Sequence, residues 1–419
     1  MDKSPLRQSL KGEVVKTFTR GTHRTISPED TLARYRDRVR GTGITRLGNI
    51  TGLDYVGIPT AIAVRPNSRS VSVSQGKGLT LTQALASALM EAVEEFHGEN
   101  LSSLCRTQCF QKLSAQACVV DYTGLCRTVK LLPEDLQIPW IEGFDLLSCE
   151  NCWVPAEVVE LDFTMPAKPG TGYFLAGSNG LASGNHLLEA ISSAICELVE
   201  RDAAAIWDAQ VLDQRARRRL DLTSVHDADC RLLLQTYSRA DMAVRAWNVT
   251  SDIGIPAFIC DIFPEVEDPC ADLPRFRGAG CHPNRAIALA RALTEAAQIR
   301  LTHIAGIRDD LPASEYMKSP SEKIGAALLD FLSSRSRHCV FQQASSFETD
   351  DLAAEIRWEL LQLQQAGINQ VIVVDLTRPE YGIPVVRVII PGLEGDPSHP
   401  DYCPGRRARA ARTSTACTP

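Results

Sequence analysis

Three stretches of the chain repeat apolar residues at the 3.6-residue period of an α-helix, and each carries a narrow polar edge. In LTQALASALMEAVEEFHGE, Leu85, Leu89, Val93 and Phe96 share one face, while Glu91 and Glu94 stand three apart with Glu95 beside them. A second helix is expected over about 183–209, inside SNGLASGNHLLEAISSAICELVERDA. Its polar edge holds Asn185, Glu189, Glu197 and Glu200; Glu189 and Glu200 differ by only about 20° in azimuth and Glu197 lies about 60° to one side. In the third, RAIALARALTEAAQIRLTHIAG, Arg291, Glu295 and Gln298 share an edge at i, i+4, i+7. Like charges one turn apart destabilise a helix by a few tenths of a kcal/mol. Such edges need counter-charge, from solvent ions, arginines or bound metal.

Between these helices the period drops to two or the pattern breaks. GITRLGNITGLDYVGIPTAIAVRPNSRSVSVS reads as strands and turns, and QGKG after it as a plain turn. Ser27-Pro28 is a helix start. Residues 116–175 are expected to be strand and loop with a hairpin around CENC; VRAWNVT and IPAFICDIF are strands, RFRGAGCHPN a Gly-rich loop, and QVIVVDLT and PVVRVIIPG a last pair of strands. From about Asp396 the chain is rich in Pro, Arg, Ala and Thr and is expected to be flexible. There is no evident internal repeat. Helices and strands mix without strict βαβ alternation, which favours an α+β fold.

Composition narrows the function. A net charge of −7 and a pI near 5.7 argue against nucleic acid as the main partner. RARRR at 215–219 reads as a solvated helix face, GRRARAAR as part of the tail. No run of 18 apolar residues and no N-terminal h-region occur, so no membrane association and a cytoplasmic location are expected. The fourteen cysteines are scattered, with one CxxC at Cys149 and Cys152, which lacks the other two ligands of a closed zinc site. His23, His186 and His282 are candidate general bases, against the plainer reading of hydrogen-bonded histidines. Glu95, His97 and Glu99 read as surface residues.

Clustered carboxylates with oxygen-only character suit Mg²⁺ or Ca²⁺. Beside a nucleotide, Mg²⁺ bridges phosphate oxygens and Arg, Lys and Gln complete the cradle. Neither GxxxxGK[ST] nor GxGxxG after a strand is present. Lys77 in QGKG, at a helix N-terminus, is the nearest anion-binding feature.

Four segments, GITRLGNITGLDYVGIPTAIAVRPNSRSVSVSQGKGLT, ALASALMEAVEEFHGEN, SNGLASGNHLLEAISSAICELVERDA and ALTEAAQIRLTHIAGIRDD, together resemble the YcaO superfamily, in order and in spacing. The resemblance runs from about Lys16 to Pro391. It implies one large ATP-binding domain at 16–395, with mixed and antiparallel sheets and Ala-rich helices around a nucleotide–Mg²⁺ cleft, an extension at 1–15 and a tail at 396–419. Family members use ATP to phosphorylate a peptide amide oxygen and let a nucleophile displace the phosphate. The resemblance assigns Mg²⁺ to Glu91, Glu94, Glu189, Glu197 and Glu200, and the nucleotide to Ser183, Asn185, Arg201, Arg291, Glu295 and Gln298. Lys77 joins that set, and Lys16, Thr22 and Arg24 lie where the family's N-terminal segment meets the nucleotide. Two departures stand out. Glu95 occupies a position that is usually Arg, for which Arg46 or Arg65 could substitute, and Ala182 replaces a frequent Ser, with Ser183 next to it.

GTHR, RPNSRS and TEAAQIRLTHIAGIRDD resemble the branch that works with TfuA-type partners and makes thioamides, and ARAARTSTACTP lacks the PxPxP ending common in azoline-forming members. The resemblance therefore implies thioamidation of a ribosomally made peptide or a protein, with a sulfide source and a TfuA-like partner; a homodimer is left open. The alternatives are azoline formation on Cys, Ser or Thr, and an inactive peptide-binding scaffold. No catalytic nucleophile is identifiable. No peptide-recognition domain is evident, so leader binding falls to a partner or an embedded surface.

Overall fold

The computed structural model describes Leu10 and residues 12–413, apart from 102–104, 129, 131, 169, 265–274, 309–338 and 398. α1 (Pro28–Tyr35) starts where expected, with the Ser27 side chain accepting from the Asp30 amide. β1 (Arg46–Asn49), β2 (Thr60–Val64) and β3 (Val73–Lys77) form an antiparallel sheet covered by α2 (Leu81–Gly98). β4 (Cys105–Gln108), α3 (Phe110–Ser114) and the hairpin of β5 (Ile138–Asp145) and β6 (Glu150–Pro155) follow, then β7 (Leu181–Ser183) and α4 (Leu187–Ala209). After α5 (Leu212–Arg217), β8 (Leu220–Asp221) and α6 (Ala228–Arg239), a second three-stranded antiparallel sheet forms. It consists of β9 (Met242–Asn248), β10 (Ala257–Pro264) and β11 (Phe276–Cys281), and α7 (Arg285–Ala305) packs on it. β12 (Cys339–Val340) pairs parallel with β8; α8 (Leu352–Gln365), β13 (Ile372–Asp375), β14 (Val385–Ile389) and α9 (Arg406–Thr413) complete the chain. The largest sheet runs β4-β5-β13-β14-β7, with β6 on β5, and is antiparallel throughout. The fold is α+β.

α4 is the central element. Leu188, Ile191, Ile195 and Val199 are fully buried in the largest core cluster, together with Val386 and Val388 of β14, Ile259 of β10 and Ile356 of α8. Helix α4 is covered on several sides, which explains its overall apolarity.

The fold contains a repeat that the sequence pattern did not reveal. Three times a strand leads into a side-chain-capped helix, β3 to α2 after Thr80, β7 to α4 after His186, and β11 to α7 after Asn284. In each helix a glutamate stands ten residues after the first residue, and a second carboxylate or carboxamide three further on: Glu91 and Glu94, Glu197 and Glu200, Glu295 and Gln298. Three equivalent helices thus present the same turn to one place.

Several sequence expectations are corrected. QGKG is not a turn, because Gln75, Gly76 and Lys77 are in β3; RFRGAGC is not a loop, because Phe276–Cys281 is β11. Both are Gly-rich for a packing reason. A Cβ on Gly76 would meet Ala84 O at 2.1 Å, and one on Gly280 would meet Ala288 O at 2.1 Å, so the covering helix could not lie this close over any other residue. The second helix begins at Leu187 rather than 183, since Leu181–Ser183 pairs with β14. The expected flexible tail instead holds α9, packed on α4. Arg407 pairs with the fully buried Asp202 (2.8 Å), and the buried Glu394 accepts from the amides of Gly405 and Ala408 and from the Tyr402 hydroxyl. Among the described residues no helix is long and apolar enough to cross a membrane.

Candidate functional site

A cavity of about 610 Å³ opens between α2, α4 and α7. α2 contributes Glu91, Glu94 and Glu95; β7 and the turn into α4 contribute Ser183 and Asn185; α4 contributes Glu197, Glu200 and Arg201. α7 supplies Arg291, Glu295 and Gln298, β3 supplies Lys77, and the N-terminal segment supplies Thr22 and Arg24. Repetition of one strand–helix unit delivers these groups, since the same turn of three helices faces inward.

Two expected residues are elsewhere. Lys16 is buried, with Nζ 2.6 Å from Glu355 of α8, and does not line the cavity. Glu189 is also buried and off the cavity wall, accepting from the Thr25 amide and hydroxyl (both 2.5 Å) and from the Asn185 amide (2.8 Å). Its carboxylate anchors the N-terminal segment against α4.

The electrostatics are those of an acidic site short of positive charge. Burial pushes Glu91 up to about 7, partly opposed by Lys77, and Glu94 up to about 8 despite the Ser183 hydroxyl (2.7 Å) and amide (2.8 Å) donating to it. Glu200 rises to about 7 through burial and the neighbouring Glu295, and burial raises Glu197 as well. Glu295 behaves oppositely. Burial would raise it, but Lys77 (2.7 Å), Arg201 and Arg291 together hold it below the usual carboxylate range. Four carboxyl groups raised by burial, beside one held below the usual carboxylate range, form a set that cations would complete.

Unmade hydrogen bonds point the same way. Among the described residues, Glu200 Oε2 and Gln298 Oε1 are buried acceptors without a partner, and Arg201 Nε and Arg291 Nε buried donors without one. Buried polar groups are seldom left so. Oxygen ligands alone suit Mg²⁺, and guanidinium donors beside them suit phosphate. The residues present therefore fit a magnesium-bound nucleotide.

The candidate histidines do not reach this cavity. His186 Nδ1 accepts from the Leu188 amide and caps α4, and His282 Nδ1 accepts from the Asn284 amide. His23 bonds Glu355 at 2.9 Å. His23, His282 and Glu355 place potential ligand atoms within 4.8 Å of one another, but the Lys16 ammonium already satisfies the carboxylate charge, so the group reads as a structural ion-pair cluster. Cys149 ends the β5–β6 turn and Cys152 lies in β6, so CENC is mostly strand; both are free thiols.

Glu95, His97 and Glu99 were expected on the surface and are buried. Arg65 explains this. Its guanidinium ion-pairs with Glu99, lies 3.7 Å from Glu95 and covers the Phe96 ring, while the Ser74 hydroxyl donates to Glu95 at 2.8 Å. Arg65 does not line the cavity, and Arg46 is exposed on β1, so neither replaces an arginine there. Sequence reasoning missed Arg308, which lines the cavity and belongs to no periodic pattern.

The family model described as YcaO cyclodehydratase, ATP- and Mg²⁺-binding, matches residues 75–394. A Rhizobium leguminosarum bv. trifolii protein, named only for its place in the tfuA 3′ region, is 37% identical over 385 residues, covering 89% of each chain. A solved heterocyclase in complex with substrate and cofactor superposes with a TM-score of 0.75 at 26% identity; it covers 92% of this chain, which spans 54% of that longer protein. YcaO from Methanopyrus kandleri, bound with AMPPCP and Mg²⁺, shares the fold (TM-score 0.72, 24% identity, 91% of this chain and 95% of that one). The chain belongs to the YcaO family, whose members are described as ATP- and Mg²⁺-binding cyclodehydratases.

Proposed function

We propose that the protein converts a backbone amide of a ribosomally made peptide or a protein into a thioamide, using ATP, Mg²⁺ and a sulfide source, with a TfuA-like partner. One observation carries the choice of product: the relative encoded in the tfuA 3′ region matches nearly end to end. Azoline formation is the second reading, supported by the likeness to the heterocyclase.

In this reading Glu91 and Glu94 face Glu197 and Glu200 across the cleft and hold Mg²⁺. Arg201 and Arg291, whose Nε donors have no partner among the described residues, would hold the nucleotide's phosphates. Lys77 is held by Glu295, and the Gln298 carbonyl oxygen, without a partner among the described residues, would serve as a cation ligand. Thr22 and Arg24 close the cleft from the N-terminal segment. Lys16 and Glu189 act at one remove, fixing that segment through Glu355 and Thr25.

An amide resists attack because its nitrogen donates into the carbonyl. ATP with Mg²⁺ supplies the phosphoryl group that turns the amide oxygen into a leaving group. The protein's part is positioning and charge neutralisation, so no enzyme-borne nucleophile is needed. The overall change balances as amide, ATP and HS⁻ giving thioamide, ADP and hydrogen phosphate, with the sulfide proton ending on phosphate.

Mass spectrometry of the substrate co-expressed with this chain and a TfuA-like protein tests the reading. Sulfur replacing oxygen adds about 16 Da, whereas azoline closure removes about 18 Da as water; both follow from atomic masses once the same activation has occurred. A loss of water without sulfur incorporation hands the case to the azoline reading. The absence of ADP release under every combination of peptide, partner and sulfide favours an inactive scaffold.

A further inference from the structure

A second cavity, of about 490 Å³, adjoins the first, and Glu91, Glu95, Ser178, Gln298, Arg308 and Asp396 line both. Its character is different. Val71, Val73, Leu161, Leu198 and Ile390 give its wall apolar stretches between polar and charged side chains, and Phe163, 47% exposed, stands among its lining residues as a large aromatic in contact with water. The volume is within the roughly 300–1,000 Å³ of ordinary ligand sites.

Two buried polar groups in this wall lack part of their bonding. Arg387 of β14 is 4% exposed; Nη2 donates to Gly177 O at 2.7 Å, while Nε and Nη1 have no partner among the described residues. Burial, partly opposed by Glu197, lowers it to about 10, as for a guanidinium short of acceptors. Gln75 of β3 is 5% exposed, with one half of its carboxamide on the Thr302 hydroxyl and the other half free. Buried donors left unpaired are costly unless a ligand completes them. The shared wall bears Glu91, Glu95 and Asp396 beside Arg308, an excess of carboxylates that disfavours an anionic ligand. A peptide bond fits all three features, because its carbonyl accepts from Arg387, it is neutral, and its flanking side chains can be apolar.

We propose that this chamber seats the peptide substrate, binding a neutral segment with small or medium apolar side chains beside the amide to be modified, and that Arg387 donates to one of its backbone carbonyls. The reaction would then occur at the common wall, where the peptide meets the nucleotide cleft. This rests on reading the first cavity as the nucleotide site.

The test uses the full chain and two titrations. Saturation-transfer NMR follows acetyl-Ala-Leu-Ala-amide and acetyl-Ala-Asp-Ala-amide; calorimetry follows a non-hydrolysable ATP analogue with Mg²⁺. The wild type is expected to bind the leucine peptide at least five-fold more tightly than the aspartate peptide. Phe163→Ala, at an exposed position that leaves the core intact, should weaken the leucine peptide at least five-fold and change the nucleotide affinity less than two-fold. Arg387→Met should weaken the same peptide at least ten-fold. No transfer to the wild type, equal binding of the two peptides, or unchanged peptide affinity in both variants overturns the proposal. Parallel loss of nucleotide and peptide in Phe163→Ala also overturns it, because the chamber would then belong to the nucleotide. Failure of the wild type to bind nucleotide is a separate result that refutes the nucleotide-site reading, since the peptide titration is read without nucleotide.

Discussion

Lys77 and Glu295 come from different sheet–helix units, one at the end of β3 and the other in α7, yet their charged atoms lie 2.7 Å apart at the wall of the cleft. The pair is largely buried, with side chains 20% and 14% exposed, and it keeps Glu295 ionised while its acidic neighbours rise towards neutrality. It thus joins the two halves of the site and presents a lysine to any phosphate that enters. Replacing Lys77 with Met should raise the KM for ATP at least ten-fold, about 1.4 kcal/mol of binding. It should also lower the melting temperature, since Glu295 is left buried without its nearest cation. Unchanged ATP saturation in an ADP-release assay would remove Lys77 from the site.

Glu200 has a different part. One of its oxygens is buried without a partner, and burial beside Glu295 raises its carboxyl to about 7. Glu200→Gln removes the charge and keeps the shape, so the cation-free protein should melt no lower than the wild type. ATP hydrolysis should fall at least a hundred-fold, which corresponds to about 2.7 kcal/mol of lost transition-state stabilisation. Wild-type turnover in this variant at any magnesium concentration would refute the metal assignment.

The three long helices were legible in the sequence because a narrow acidic stripe on an otherwise apolar helix stands out at a period of 3.6. What the period could not supply was height along the axis. Glu189 and Glu200 share an azimuth, but eleven residues separate them by about 16 Å at 1.5 Å per residue, which places Glu189 at the N-terminal end of α4, against Thr25 and outside the cleft. Glycine misled in a consistent direction. Gly76, Gly278 and Gly280 read as turn and loop, whereas each lies in a strand where a helix backbone comes too close for a Cβ. Burial of charge was illegible too. Glu95 and Glu99 look like surface residues until Arg65, some thirty residues earlier, is placed beside them by the pairing of β2 with β3. The three-fold strand–helix repeat escaped notice because it conserves spacing rather than wording.

The docking of α9 rests on one ion pair more than another. Arg407 reaches both Asp202, fully buried, and Asp252, whose side chain is 64% exposed. Burial raises Asp202 to about 6 even with Arg407 beside it. Removing one partner of a buried pair costs about 3–5 kcal/mol, while an exposed pair contributes under about 1 kcal/mol. Arg407→Ala should therefore destabilise the protein by about 3 kcal/mol and Asp252→Ala by less than about 1 kcal/mol. Without Arg407 the Asp202 carboxyl shifts higher still, so the deficit should grow from pH 6 to pH 8. Equal losses in the two variants, measured by chemical denaturation, would show that α9 is not held through Asp202.

The acidic cleft makes a last prediction, about pH and magnesium together. Glu91 and Glu200 titrate near 7 and Glu94 near 8 because burial disfavours their charged forms, against an ordinary value of 4.5 in the unfolded chain. Between about pH 4.5 and 8 the folded, cation-free protein therefore binds more protons than the unfolded one, and its stability falls as pH rises through that window. Mg²⁺ reverses this, since it binds the ionised carboxylates and competes with their protons. The rise in melting temperature on exchanging EDTA for saturating Mg²⁺ should accordingly be larger at pH 8 than at pH 6, and the apparent magnesium affinity should strengthen over the same interval. Glu200→Gln, with one of these groups removed, should show a shallower fall of the EDTA form with pH. Differential scanning fluorimetry of both proteins at pH 6, 7 and 8 decides the matter. A magnesium shift that is equal at all three values, or largest at pH 6, would mean that these glutamates do not hold the metal.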